Sequence, residues 1–150
     1  MPGLKITNIK KGLVIFWALW VTLVLITNLA DALKMLGVFS ETFSFVSGNY
    51  SLLRQVTNLS SGMAGVLFAG VILWEGLATW LFWKAAVWGG INMAFGVSLG
   101  LWAAMILADE LFLVYKTMNL EGEHLRIFVA QLISFMAIHL LPNLDAEKPE

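Results

Sequence analysis

Four stretches of this chain stay apolar for about the length of a membrane crossing, and that limits the folds open to it. A helix needs about 20 mostly apolar residues to cross a hydrocarbon core about 30 Å thick. Such runs fall at about 12–33, 62–83, 89–114 and 125–141. The last is the shortest, Ile127 to Leu141, extended by Leu125 and Arg126 and stopped by Pro142. The pattern predicts an all-α polytopic membrane protein, an antiparallel bundle of four transmembrane helices forming one membrane domain over 1–150. Composition agrees: 59% of the residues are hydrophobic and 13% charged, against about 45–50% and about 25% in a soluble domain.

Several classes drop out early. With no cysteine there are no disulfides, thiolate metal sites, iron–sulfur clusters or cysteine nucleophiles. A net charge of −1 supplies no basic patch for nucleic acid. The first run follows Lys5, Lys10 and Lys11, as a signal peptide would. It exceeds the usual 7–15 apolar residues of such a leader and lacks a small-x-small cleavage site, so it reads as a retained helix.

Residues 34–60 form a polar connection rich in turn formers, yet Phe39, Phe43, Phe45 and Val46 keep it partly apolar. A surface-lying amphipathic segment is expected there. Lys84 to Trp88 reads as a very short link, which makes the flanking helices antiparallel neighbours. A polar link is expected from Tyr115 to Arg126, and disorder in the acidic tail, 143–150. Lys5, Lys10, Lys11, Lys84 and Lys148 fall on one side, and Lys34, Arg54, Lys116 and Arg126 on the other. The cluster before the first helix places both termini in the cytoplasm. Trp17, Trp20, Trp74, Trp80, Trp83 and Trp88 are then expected as an aromatic belt at that interface.

Gly96, Gly100 and Ala104 recur every four residues, and Gly62, Ala69 and Gly76 every seven. Such small-residue faces let helix backbones approach in lipid, and packing inside the bundle is the expected use. Docking of a partner helix is the alternative.

Ionisable groups inside apolar runs are functional hypotheses by default, because a charge at the helix centre costs about 2.5–3.5 kcal/mol on insertion scales. Glu75 is the clearest case. A hydrogen bond to a neighbouring helix, a proton-linked or ligand-binding role, and a partner-subunit contact all stay open for it. Asn28 and Asp31 sit three apart, hence on one helix face. With Asp109, Glu110, Arg54, Lys116 and Arg126 they are expected to gather at one end of the bundle. Pairs such as Asp31–Arg54 or Glu110–Arg126 would satisfy them; a small polar pocket for a cation or solute headgroup is the sharper alternative. His124 and His139 lie fifteen residues apart, roughly 22 Å along a helix, too far to share a haem. His139 is expected to cap or to pair, with Glu75 for instance.

The polar landmarks occur in an order that resembles the bacterial predicted small integral membrane protein family, domain of unknown function 2165. Asn28-Leu29-Ala30-Asp31 is similar to its Asn-x-x-Asp helix ending, followed by an arginine, here Arg54. Glu75-Gly76 matches its glutamate-bearing helix, and Arg126-Ile127-Phe128 its arginine–phenylalanine start. Asp109-Glu110-Leu111-Phe112 stands where that family shows Gly-Glu-Trp-Phe, and its Met-Asp-Thr-Thr run is missing. The resemblance implies a four-helix protein of the bacterial inner membrane and no particular activity.

No P-loop, dinucleotide glycine motif, HExxH or nucleophile elbow occurs. The expectation is therefore a non-enzyme with no catalytic residue, cofactor or metal. It would serve as an accessory or scaffolding subunit of a larger membrane complex, such as an energy-converting one. Its partners would be membrane lipid and other integral subunits or copies of itself. The alternative is a small-solute or ion-handling protein acting as an oligomer, with Glu75 and the Asp31, Asp109 and Glu110 group lining the path.

Overall fold

The computed structural model describes residues 6–112 and 120–141. Expectations for Lys5, Tyr115, Lys116 and the tail 143–150 lie outside the described residues. Five α-helices occur among the described residues: α1 (Ile6–Met35), α2 (Asn49–Thr57), α3 (Ser61–Trp88), α4 (Ile91–Leu111) and α5 (Leu120–Leu140). The protein is all-α.

Helix α1 ends in a Schellman turn. Val38 N–H donates to the Leu33 carbonyl and Gly37 N–H to that of Lys34, with Gly37 at φ 74°, a backbone region that costs glycine nothing. Lys34 then donates to the Glu41 and Phe43 carbonyls and folds the next segment back on α1. Ser60 caps α3 by accepting from Met63 N–H.

Two expected boundaries move. Lys84 to Trp88 is not a link but the last turn of α3, because Ala85 and Ala86 favour helix. The reversal is made by Gly89 and Gly90 alone, at φ 90° and 98°. Helix α5 takes in Glu121 to Arg126, read above as a polar link. There Glu123 and Arg126 pair one turn apart and His124 is held by Asp109 of α4.

The long helices pack antiparallel in sequence order. Trp83 donates to Thr22 and Asn28 to Glu75, joining α1 to α3. Trp74 donates to the Val97 carbonyl, joining α3 to α4. Asp109–His124 and Asn92–His139 join the opposite ends of α4 and α5. The apolar core lies towards the start of α1 and the end of α5, around Trp17, Val21, Phe82, Phe95 and Ile138. Phe82 stacks edge-on against Phe95 at 5.0 Å, and Phe95 meets Phe135 at 5.5 Å. Trp17 is 4% exposed, so it belongs to this core and not to an outward-facing belt.

Three helices, α1 from Thr7, α3 and α4, are long and apolar enough to cross a membrane. Only 28–33% of the most apolar window in each is buried inside the protein. The apolar remainder, including Leu73, Leu107 and Trp88, faces outward on a scale that water does not tolerate. The chain therefore has the surface of a membrane protein. Helix α5 has the length, about 31 Å at 1.5 Å per residue, but Glu123, Arg126 and Gln131 lower its apolarity.

Replacing a buried phenylalanine typically costs about 3–5 kcal/mol. Phe95→Ala should therefore lower the thermal midpoint of the detergent-solubilised protein sharply, while Leu107→Ala on the outward face leaves it nearly unchanged.

Candidate functional site

Glu75 occupies the inward line of α3, one heptad before Phe82, and is 5% exposed. From α1, buried Asn28 donates its amide N–H to Glu75 Oε1 at 2.7 Å. The Asn28 carbonyl oxygen accepts in turn from Asn49 at the start of α2, at 2.9 Å. A polar chain thus runs from the surface residue Asn49 to the buried carboxyl. Glu75 Oε2 is buried and has no hydrogen-bond partner among the described residues. An unsatisfied buried acceptor costs about 1–3 kcal/mol, more when charged, so this oxygen is the least settled polar atom of the pair.

Asp31, one turn further along α1, has a different task. Its Oδ2 accepts from Tyr50 N–H at 2.9 Å and from Ser47 Oγ at 3.1 Å. Helix α2 begins after Gly48, which offers no side-chain cap. Asp31 supplies it from another helix, satisfying one of the free N–H groups and meeting the positive end of the helix dipole. The expected Asp31–Arg54 pair is therefore replaced. Arg54 lies on the outer face of α2, beside a shallow cleft lined by Tyr50, Gln55 and Asn58, without an ion pair among the described residues.

The other expected residues are distributed differently again. Asp109, buried at the end of α4, lies 2.6 Å from His124 Nδ1. Glu110 is exposed and unpaired among the described residues. Arg126 takes Glu123 instead, at 2.6 Å, an exposed pair of the kind worth about 0.2–1 kcal/mol. His139 Nε2 is 2.8 Å from Asn92 Oδ1 and its Nδ1 2.9 Å from the Phe135 carbonyl; Asn92, not Glu75, is its partner. Asn28, Asp31 and Glu75 share one neighbourhood, and Asp109 with His124 forms a second. No hydrogen bond joins the two among the described residues, where no group of three or more acidic or histidine side chains is placed to hold a metal.

One buried pair was passed over in the sequence. Gln131 of α5 donates to Ser98 Oγ of α4 at 2.8 Å, with both residues fully buried. Its signal in the sequence is an amide in the middle of an apolar run. The small-residue faces also differ from expectation. A Cβ added at Gly62, Gly76 or Gly96 would meet nothing within 4 Å, and at Gly100 only the Trp74 ring at 3.4 Å. Among the described residues Gly62, Gly76 and Gly96 have no neighbouring helix against them, whereas Gly100 lies under the Trp74 ring of α3.

No family model, curated protein or solved structure matches the chain.

Asn28→Ala removes both the donor to Glu75 and the acceptor for Asn49. We expect a loss of about 1–3 kcal/mol in a denaturant titration of the solubilised protein, and a smaller loss for Asn49→Ala at the surface.

Proposed function

We propose that this chain crosses the bilayer four times, through α1, α3, α4 and α5, as a small bundle in a bacterial inner membrane with both termini cytoplasmic. The start of α1 and the end of α5 adjoin, since Lys10 Nζ donates to the Leu141 carbonyl. In favour of α5 as a span, Gln131 is turned inward while Ile133, Met136 and Leu140 face out. The exposed Trp80, Trp83 and Trp88 suit the cytoplasmic interface. The ordered landmarks Asn28–Asp31, Arg54, Glu75-Gly76 and Arg126–Phe128 support kinship with the bacterial predicted small integral membrane protein family.

Within that frame the protein is a non-catalytic subunit that docks against other helices of a larger membrane complex. The observation behind this reading is the uncovered small-residue surface: Gly62 and Gly76 on α3 and Gly96 on α4 have open space where a side chain would stand. Small residues on an outward helix face allow a partner backbone to come close. A second reading, in which an oligomer handles a small solute or ion, draws on the open oxygen of Glu75.

Gentle solubilisation and tag purification from native membranes should recover the wild type with stoichiometric integral partners. Gly96→Leu should fold as stably as the wild type, since a Cβ at that position meets nothing within 4 Å among the described residues, and should lose the partners. Recovery of the wild type alone would sink the subunit reading.

A further inference from the structure

Five buried polar atoms, Trp17 Nε1, Glu75 Oε2, Thr79 Oγ1, Gln131 Oε1 and Trp102 Nε1, have no hydrogen-bond partner among the described residues. Trp17 belongs to the apolar core near the start of α1, and the other four lie together on one side of the aromatic layer. Measured from the Phe82–Phe95–Phe135 layer, Thr79 and Gln131 lie three and four residues away. Glu75 and Trp102 each lie seven residues away in the same direction. At 1.5 Å per residue these are levels about 5 Å and about 10 Å above the rings. Four of the five orphans thus fall within two consecutive helical turns of the interior.

We infer that this layer binds one monovalent alkali cation, with Glu75 as the charged ligand and Thr79 and Gln131 as neutral oxygen ligands. The inference deepens the ion-handling reading and rests on the chain being embedded in a membrane.

Charge comes first. A buried carboxylate in a low-dielectric interior requires a compensating positive charge. Glu75 has no lysine, arginine or histidine partner among the described residues, where the ion pairs are Asp109–His124 and Glu123–Arg126. One monovalent ion neutralises it, whereas a divalent ion would leave a net charge.

The donor balance comes next. Three of the four orphans on this side are oxygens, and the nearby amide N–H groups are already engaged: Asn28 with Glu75, and Gln131 with Ser98. Thr22, Thr27 and Thr57 turn their hydroxyls back onto their own helices, but Thr79 does not. A proton on Glu75 would settle one oxygen and leave the others. Carboxylate, hydroxyl and amide oxygens are hard donors, which suit alkali and alkaline-earth ions over softer metals. The indole N–H of Trp102, whose ring lies 5.9 Å from that of His124, has no partner among the described residues and, as a donor only, is not a ligand of the ion. The Asn49–Asn28–Glu75 chain supplies a polar approach from the surface.

Dicyclohexylcarbodiimide reacts with protonated intramembrane carboxyls, so an ion on Glu75 should shield it. In micelles of the purified protein, labelling at Glu75 read by mass spectrometry should fall saturably with sodium chloride. It should hold in choline chloride of equal ionic strength. Thr79→Val and Gln131→Leu should each raise the half-protecting sodium concentration about tenfold or more, as loss of metal-site contacts does. Equal labelling in sodium and choline, or protection unchanged in both variants, would overturn the site. The sodium-dependent rise in thermal midpoint is the second readout, present in wild type and absent in Glu75→Gln; its absence in wild type also overturns the proposal. Carbonate extraction of native membranes tests the membrane reading separately, since release of the chain would remove that premise whatever sodium does.

Discussion

In hydrocarbon no water is present to satisfy a polar side chain, so each one carried into the interior must find its partner on another part of the protein. The structure is organised around that requirement. Asn28 meets Glu75 between α1 and α3, and Gln131 meets Ser98 between α4 and α5. The indoles of Trp74 and Trp83 cross to α4 and α1. Apolar packing between helices discriminates poorly in lipid, where tails and side chains are equally oily. The polar contacts discriminate well, because slipping one helix by a turn against its neighbour would strand both partners. They fix register, and the aromatic layer then fills the space that register leaves.

The same requirement makes the unpartnered atoms informative. A helix protein that closes Asn28–Glu75 and Ser98–Gln131 but leaves an oxygen of each pair open has not run out of donors by chance of surface exposure, since these side chains are buried. Outside the interior the balance differs. Arg54 and Glu110 have water within reach, and their lack of partners among the described residues has no such cost.

Much of this was legible in the sequence and some was not, for reasons that follow from the chemistry. Apolar runs announced α1, α3 and α4 because their length exceeds anything a small soluble core demands. Their ends were less visible. The stretch Lys84–Trp88 looked like a link because it carries a lysine, yet charge does not break a helix and paired glycines do. Glu75 and Asn28 stood out individually as polar residues in apolar surroundings. Their pairing did not, since it depends on how α1 and α3 lie against each other. Asp31 was expected beside Arg54 on grounds of charge, and a backbone N–H took its place because the start of α2 had four donors to satisfy. Ser98 and Gln131 carry no charge, and their pairing depends on how α4 and α5 lie against each other.

The carboxylate of Asp31 has one more implication. The N-cap of α2, Gly48, has no side chain to offer; neighbouring Ser47 accepts from Asn49 N–H, and the next N–H, that of Tyr50, is taken by a helix residue seventeen positions upstream of the cap. The short helix therefore has no complete instruction for its own beginning: a peptide copied from 48–58 would lack it. The first turn of α2 thus depends on α1, and turning α1 about its axis would withdraw the Asp31 cap and the Asn28–Glu75 contact together. Surface segment and buried carboxyl are thus two ends of one lever whose fulcrum is a single turn of α1.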